Sequence, residues 1–415
     1  MKLRPSHIAI AAAALAGTAF LAPMALSVVP PKDGHAVQSK LAQEALLLGV
    51  TRAGKRIVAV GEYGNILLSD DDGATWHQAK DVPTTVTLTA VAFADDKRGW
   101  AVGHDTLILH TTDGGETWAK QFGGGASENS LLSVYFADAN HGWAVGAFNY
   151  TAETTDGGKT WVERQTLARP PAQPAAGATP AAPAPAAPPA STEPFDPTKV
   201  KRPDDPYAAA TGDENHLNQM FAGPDANTLF VAAEAGAIYR SLDAGATWTK
   251  VLTGYIGSFW GGLTAKDGTV YAAGMRGNIW KSTDKGATWA KADTHGADQS
   301  ISTGLQLNDG SLVFVGLGGQ VLYSEDGKTF TLTYRADRKG LNAVLQDGKS
   351  LLVFGEAGVQ TQTLKANPAE IEEAPPPPPA PPAEAAPADA APAPTDVAPT
   401  PAPAAPAAAP AAGGG

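Results

Sequence analysis

Thr111-Thr-Asp-Gly-Gly-Glu-Thr-Trp118 is one of five full copies of a single phrase, Ser/Thr-x-Asp-x-Gly-x-Thr-Trp. The others are Ser69–Trp76, Thr154–Trp161, Ser241–Trp248 and Ser282–Trp289; Ser324–Phe330 is a shorter copy that closes on Phe. The closing aromatics lie 42, 43, 87, 41 and 41 residues apart. A fixed period near 42 means that one supersecondary unit is repeated along the chain.

Reading outward from Trp118 shows what the unit is. Leu88-Thr-Ala-Val-Ala-Phe93 alternates as a strand does, and Gly99-Trp-Ala-Val-Gly103 is a short apolar run. Leu107–His110 and Trp118–Gln121 supply two more strands, with turn residues at Asp95-Asp96, His104-Asp105 and Asp113-Gly114-Gly115. Four short antiparallel strands per period make one propeller blade. The phrase then falls between the third and fourth strands. Asp71, Asp113, Asp156, Asp243, Asp284 and Asp326 are expected to accept backbone N–H groups across that turn, and the following Gly to supply its φ > 0 position. Trp76, Trp118, Trp161, Trp248, Trp289 and Phe330 are expected to wedge between blades. Each Trp buries roughly 150–250 Å², an upper bound of about 4–6 kcal/mol. Reading the aspartates of the five full copies as catalytic acids would require five equivalent acids in one enzyme, which makes no mechanistic sense.

The phrase resembles the Asp-box, or bacterial neuraminidase repeat (BNR). Gly-Trp-Ala-Val-Gly at 99–103 and 142–146, followed by a Gly-containing turn and Thr-Thr-Asp-Gly-Gly-x-Thr-Trp, is similar to the photosystem II assembly/stability-factor family of seven-bladed propellers. The resemblance covers about residues 41–365 apart from an insertion. It implies an all-β, seven-bladed β-propeller that acts by binding a newly made membrane protein, with bacterial relatives serving other membrane complexes such as exporters.

The gap of 87 residues is nearly two periods, yet it hides no blade. Arg169–Ser191 is almost entirely Pro, Ala and Gly, and Pro197, Pro203 and Pro206 follow. Pro removes ladder donors and is excluded from central strands. Residues 168–206 therefore read as a disordered insertion within a propeller spanning 36–365. Six blades carry the phrase. A seventh, Leu341–Leu345, Ser350–Gly355 and Gly358–Leu364, has three strands, and Val37–Leu41 is expected to add the fourth and close the ring.

Lys2 and Arg4 precede an apolar run from Ile8 to Leu21, and Ala25-Leu-Ser27 offers a cleavage pattern. Residues 1–27 read as a secretory signal, with an uncleaved membrane anchor as the alternative. The expected location is the periplasm or another exported compartment. The chain has no Cys, which excludes both disulfides and a Cys-linked lipid. Its net charge of −12, with no basic stripe, argues against nucleic acid. The tail at 366–415 is Pro/Ala-rich and acidic and reads as disordered.

On the face opposite the phrase, the turns between second and third strands are expected to form a binding rim around the channel. This reading selects Glu62, Tyr63, His104, Phe148, Tyr150, Glu234, Trp260, Arg276, Asn278, Gln320 and Glu356. Ring closure would bring Glu356, Glu62 and His104 together, a set able to do acid–base chemistry if burial split their pKa values. A sialidase would need an arginine cluster, but the rim offers only Arg276, while Arg52 and Arg56 fall on the wrong face. The eight His are dispersed without metal-ligand spacing, and the glycine runs at 123–125 and 316–319 precede no helix. No metal or cofactor is expected. The function that fits is a non-enzymatic exported propeller, monomeric by itself, that binds a protein partner and serves the assembly or stability of an envelope membrane complex. The alternatives are a glycosidase using Glu62, Glu234 or Glu356, and a glycan-binding module using Trp260 and Tyr63.

Overall fold

The structure is a computed structural model that describes residues 34–125, 129–164, 167, 215–348 and 350–363. The expected signal segment at 1–27, the insertion at 168–206 and the tail at 366–415 lie outside the described residues.

Among the described residues, seven antiparallel sheets follow one another, six of four strands and a last one of three, each a simple meander. Their first strands are Leu47–Ala53, Leu88–Phe93, Leu131–Phe136, Leu217–Ala222, Phe259–Thr264, Ile301–Gln306 and Leu341–Asp347. Each touches the first strand of the next blade, and Leu341–Asp347 touches Leu47–Ala53, so the ring is closed. Second strands such as Gly99–Gly103 and Gly142–Gly146 are buried at every position. A neighbouring blade covers each of their faces, which is why these strands read as continuous apolar runs rather than alternating ones.

The recurring turn is built from its own residues. In the second blade, Thr117 donates its N–H to Asp113 Oδ1 at 3.0 Å and its hydroxyl to Oδ2 at 2.6 Å. Gly115 N–H donates to Thr111 Oγ1 at 3.0 Å, and Trp118 Nε1 to the Gly115 carbonyl at 2.8 Å. Gly115 has φ +89°, the left-handed region where only glycine is unstrained. A Cβ there would also stand 3.2 Å from Leu68 of the preceding blade. The aromatic wedge varies from blade to blade. Trp118, Trp248 and Phe330 are buried, whereas Trp76, Trp161 and Trp289 are half-buried. Trp289 meets Phe230 of the preceding blade edge-on at 6.4 Å, and Trp76 meets Phe354 of the last blade at 5.9 Å.

Val37–Leu41 forms no strand and does not join the last blade, contrary to the sequence expectation. The segment lies along the outer strand of the first blade, His77–Gln78, and the residues that follow it. Ser39 N–H donates to Gln78 Oε1 at 2.6 Å, Gln78 Nε2 to the Val37 carbonyl at 3.1 Å, and Ala36 N–H to the Val82 carbonyl at 2.9 Å. Gln78 thus satisfies the segment's polar groups on blade one, and no ladder with blade seven is needed. The ring closes instead by packing. Leu47, Ile57 and Leu67 share an apolar cluster with Leu352 and Phe354.

Candidate functional site

All seven turns between second and third strands are anchored alike. The residue after each second strand donates its N–H to the carbonyl of the residue just before that blade's first strand: Glu62 to Leu46, His104 to Thr87, Ala147 to Ser130, Glu234 to His216, Met275 to Ser258, Leu317 to Ser300 and Glu356 to Gly340, at 2.8–3.2 Å. These turns and the segments entering each blade therefore form one face. The recurring turns lie at the other end of the third strands, on the opposite face.

The anchoring dictates what the tips display. In six of the seven turns the next residue adopts a left-handed conformation: Tyr63 (φ 56°), Asp105 (57°), Phe148 (54°), Ala235 (54°), Arg276 (56°) and Gly318 (63°). The sixth blade's Gly318 shows the residue that this geometry favours. Bulky side chains here carry a backbone cost of about 1–2 kcal/mol. Tyr63 is nonetheless 62% exposed and Phe148 57% exposed, and Arg276 is exposed as well. Phe148 leans edge-on against His216, with ring centroids 5.0 Å apart.

The other rim candidates divide into supports and surface groups. Glu62 Oε1 accepts the Leu46 N–H at 2.9 Å, and Glu234 Oε2 accepts the His216 N–H at 3.0 Å, so each carboxylate caps its own blade's entry. Glu356 is exposed and lies over Gly340, and His104 is exposed. Asn278 turns inward, donating to the Met275 carbonyl at 2.9 Å. Gln320 is fully buried and bonds the Gln299 backbone through both ends of its amide. Tyr150 donates its hydroxyl to Glu163 on the outer strand at 2.8 Å; burial, then that carboxylate, push its pKa upward. Trp260 is half-buried at a bulge in the fifth blade's first strand.

Two apolar residues on this face escape the sequence reading. Leu252, at the end of the fourth blade's outer strand, and Ile256, in the segment entering the fifth blade, are each 69% exposed. They flank Tyr255, whose hydroxyl donates to the Met275 carbonyl at 2.8 Å. Burial raises the pKa of Tyr255, partly offset by the nearby Arg276 charge. Two exposed aliphatic residues four positions apart in an otherwise polar connection were the available signal. On the opposite face, Arg52 pairs with Asp72 at 2.9 Å, and Arg56 with Asp70 at 2.6 Å and Glu116 at 3.1 Å. Among the described residues, no group of three or more His, Asp or Glu is placed to hold a metal, and no helix is long and apolar enough to cross a membrane.

The family model for photosynthesis system II assembly factor YCF48 matches residues 75–124, 125–173 and 218–358. Photosystem II assembly lipoprotein Ycf48 of Synechococcus sp. (strain CC9902) is 32% identical over 65 residues, 15% of this chain and 20% of that protein. The chain thus aligns with about a fifth of that relative's length. The structure of YCF48 bound to a D1 peptide superposes with a TM-score of 0.55 at 15% identity, covering 80% of this chain and 96% of that one. Virginiamycin B lyase from Staphylococcus aureus, solved with selenomethionine, superposes with a TM-score of 0.58 at 13% identity, over 80% and 98% of the two chains. At such identities the two structural likenesses show the fold alone. Matched by the family's model over more than half its length, with seven blades closing into one ring, the chain belongs to the family of photosynthesis system II assembly factor YCF48.

Proposed function

We propose that this chain is a non-enzymatic, exported propeller that holds a protein partner on its turn-bearing rim and serves the assembly or stability of an envelope membrane complex, such as a transporter. The observation that carries this reading is the display of Tyr63, Phe148 and Arg276. Three large side chains are exposed at positions where the backbone favours glycine. Strain of this kind persists where the exposed side chain is needed. Tyr and Arg are also residue types that anchor protein interfaces, and Leu252 and Ile256 add exposed apolar area on the same face. A relative solved with a D1 peptide supports a protein ligand. The basic N-terminus followed by an apolar run supports export. The carboxylates a glycosidase would need at Glu62 and Glu234 are engaged with backbone N–H groups, which favours binding over chemistry.

Co-purification from the native envelope tests this. The Tyr63→Ala/Phe148→Ala/Arg276→Ala variant should lose a membrane-protein partner that the wild type retains, at an unchanged or raised melting temperature. Undiminished capture of that partner would move the site off the rim. Glycoside turnover abolished by Glu62→Gln would replace the binding reading with an enzymatic one.

A further inference from the structure

The three buried closing aromatics are covered from the blade before them. Trp118 shares its apolar cluster with Ala79 and Val82, Trp248 with Leu167, and Phe330 with Ala292 and Ala297, all residues that follow the preceding blade's outer strand. Trp76 faces the last blade, which has three strands among the described residues. Residues 38–43 run beside Trp76 instead, and of these only Ala42 joins the apolar cluster of Trp76 and Leu67. A cavity of about 450 Å³ remains between this segment and the first blade. Small-molecule sites fall in that size range, ~300–1,000 Å³.

The lining combines one apolar wall with a polar mouth. Trp76 and Leu67 form the wall. The Trp76 Nε1 donates to the Gly73 carbonyl at 3.0 Å, so the part of the ring left for the cavity is carbon surface. The polar lining consists of Gln amides, the Ser39 hydroxyl and two basic side chains, Lys40 and His77, with no carboxylate, in a chain of net charge −12.

Some of these groups are already engaged. The Gln78 amide holds the backbone of residues 37 and 39, and His77 Nε2 lies 3.6 Å from Glu116. Gln38 donates to the Ala79 carbonyl at 2.8 Å and keeps its amide oxygen. Ser39 Oγ accepts the Leu41 N–H at 3.1 Å and keeps its own proton. The Gln43 amide and the Lys40 ammonium are exposed, and neither has a hydrogen-bond or ion-pair partner among the described residues.

A ligand that matches the remaining groups needs three features: a ring with a C–H face for Trp76, hydroxyls that both donate and accept for Gln38, Ser39 and Gln43, and a carboxylate for Lys40. An acidic sugar has all three. The phosphates of a nucleotide would meet no second free cation in this lining, and an apolar ligand would strand the amides without partners. We propose that this cavity binds an acidic saccharide, one uronic-acid residue of which lies on Trp76 with its carboxylate on Lys40. The site is built on the closing residue of the first recurring turn, not on Tyr63, Phe148 or Arg276, and it does not depend on the rim binding a protein.

Calorimetric titration of the full chain with trigalacturonate tests this, with the methyl-esterified trimer as the uncharged control. Esterification should weaken binding at least about tenfold, and Lys40→Ala should do the same, because a hydrogen bond to a charged group is lost. Gln43→Ala should weaken binding about threefold, and added salt should weaken it further. Both side chains are exposed, so neither change should move the melting temperature. Among the indole N–H resonances, the one missing in Trp76→Phe should shift most on titration. If Trp76→Phe does not fold, the Lys40 and Gln43 variants decide. Absence of trigalacturonate binding, equal affinity for the esterified trimer, or affinity unmoved by Lys40→Ala overturns the proposal. A penta-aspartate peptide that binds as tightly through Lys40 makes this a general anion site and overturns it equally.

Discussion

The side-chain amide of Asn342, on the first strand of the last blade, donates to the main-chain carbonyl of Leu47, on the first strand of the first blade, at 3.1 Å. The same bond joins other neighbours. Asn218 donates to the Phe259 carbonyl at 2.7 Å and Thr89 to the Leu131 carbonyl at 2.6 Å. All three donors sit at the bulge where the first strand shifts register against the second. Asn342→Ala should cost about 1–2 kcal/mol, since the Leu47 carbonyl loses a partner at the ring-closing seam. Asn342→Leu should cost less, because Leu48 and Leu132 occupy the equivalent bulges of blades one and three. Urea midpoints of the two variants rank the effects. Equal losses would mean that the hydrogen bond is not what matters at this position.

Burial separates two copies of the same tryptophan. Trp118 is 4% exposed, whereas Trp76 is half-buried. Trp118→Ala should lose roughly 3–5 kcal/mol through the cavity it leaves, and Trp76→Ala clearly less. Partner binding by the molecules that stay folded should survive both changes. Chemical denaturation with a binding assay below the transition reads both quantities.

The recurring turns should make the protein acid-sensitive. The Thr160 N–H and hydroxyl hold Asp156 down at about 2, and similar bonds depress Asp71 and Asp326. At Asp113, Asp243 and Asp284, burial works the other way and hydrogen bonds from within the turn outweigh it. A carboxylate with a depressed folded pKa contributes stability that is complete above the unfolded value near ~4 and is lost as pH falls toward the folded value. Stability should therefore hold from neutral pH to about 4 and decline from there toward 2. Asp156→Asn should be less stable at pH 7 and should show a shallower decline in acid. Urea midpoints between those pH values give both slopes.

Display and stability should trade against each other at Tyr63. Tyr63→Gly relieves a left-handed backbone and removes a ring that is mostly in solvent, so it should gain about 1 kcal/mol. The same change should weaken capture of the partner. A variant that neither gains stability nor loses binding would show that the turn is relaxed and the ring idle.

The blade count was legible because the recurring turn tolerates few residues: an acceptor at Asp, a left-handed Gly and a closing aromatic must stand at fixed spacing. The rim was half legible. Tyr63, Phe148 and Arg276 follow from their place in the turn, but the sequence does not distinguish them from Asn278 and Gln320, whose amides are consumed inside the turn. Leu252 and Ile256 were missed because exposure there depends on how the connection runs, not on periodicity. The path of Val37–Leu41 was misread for a related reason. Its pattern suits a strand, but the side chain of Gln78 decides where it lies.

The recurring turn closes on itself, with hydrogen bonds that span four residues or fewer, whereas the Asn342–Leu47 bond joins residues 295 apart in sequence. The two kinds of bond should form at opposite ends of the folding reaction. Turns this local assemble without a large loop-closure cost, in several places at once, while the seam must wait until the whole circle exists. Destabilising a turn should then slow refolding, and destabilising the seam should mainly speed unfolding. Molecules that lose the ring should lose it first between the first and last blades.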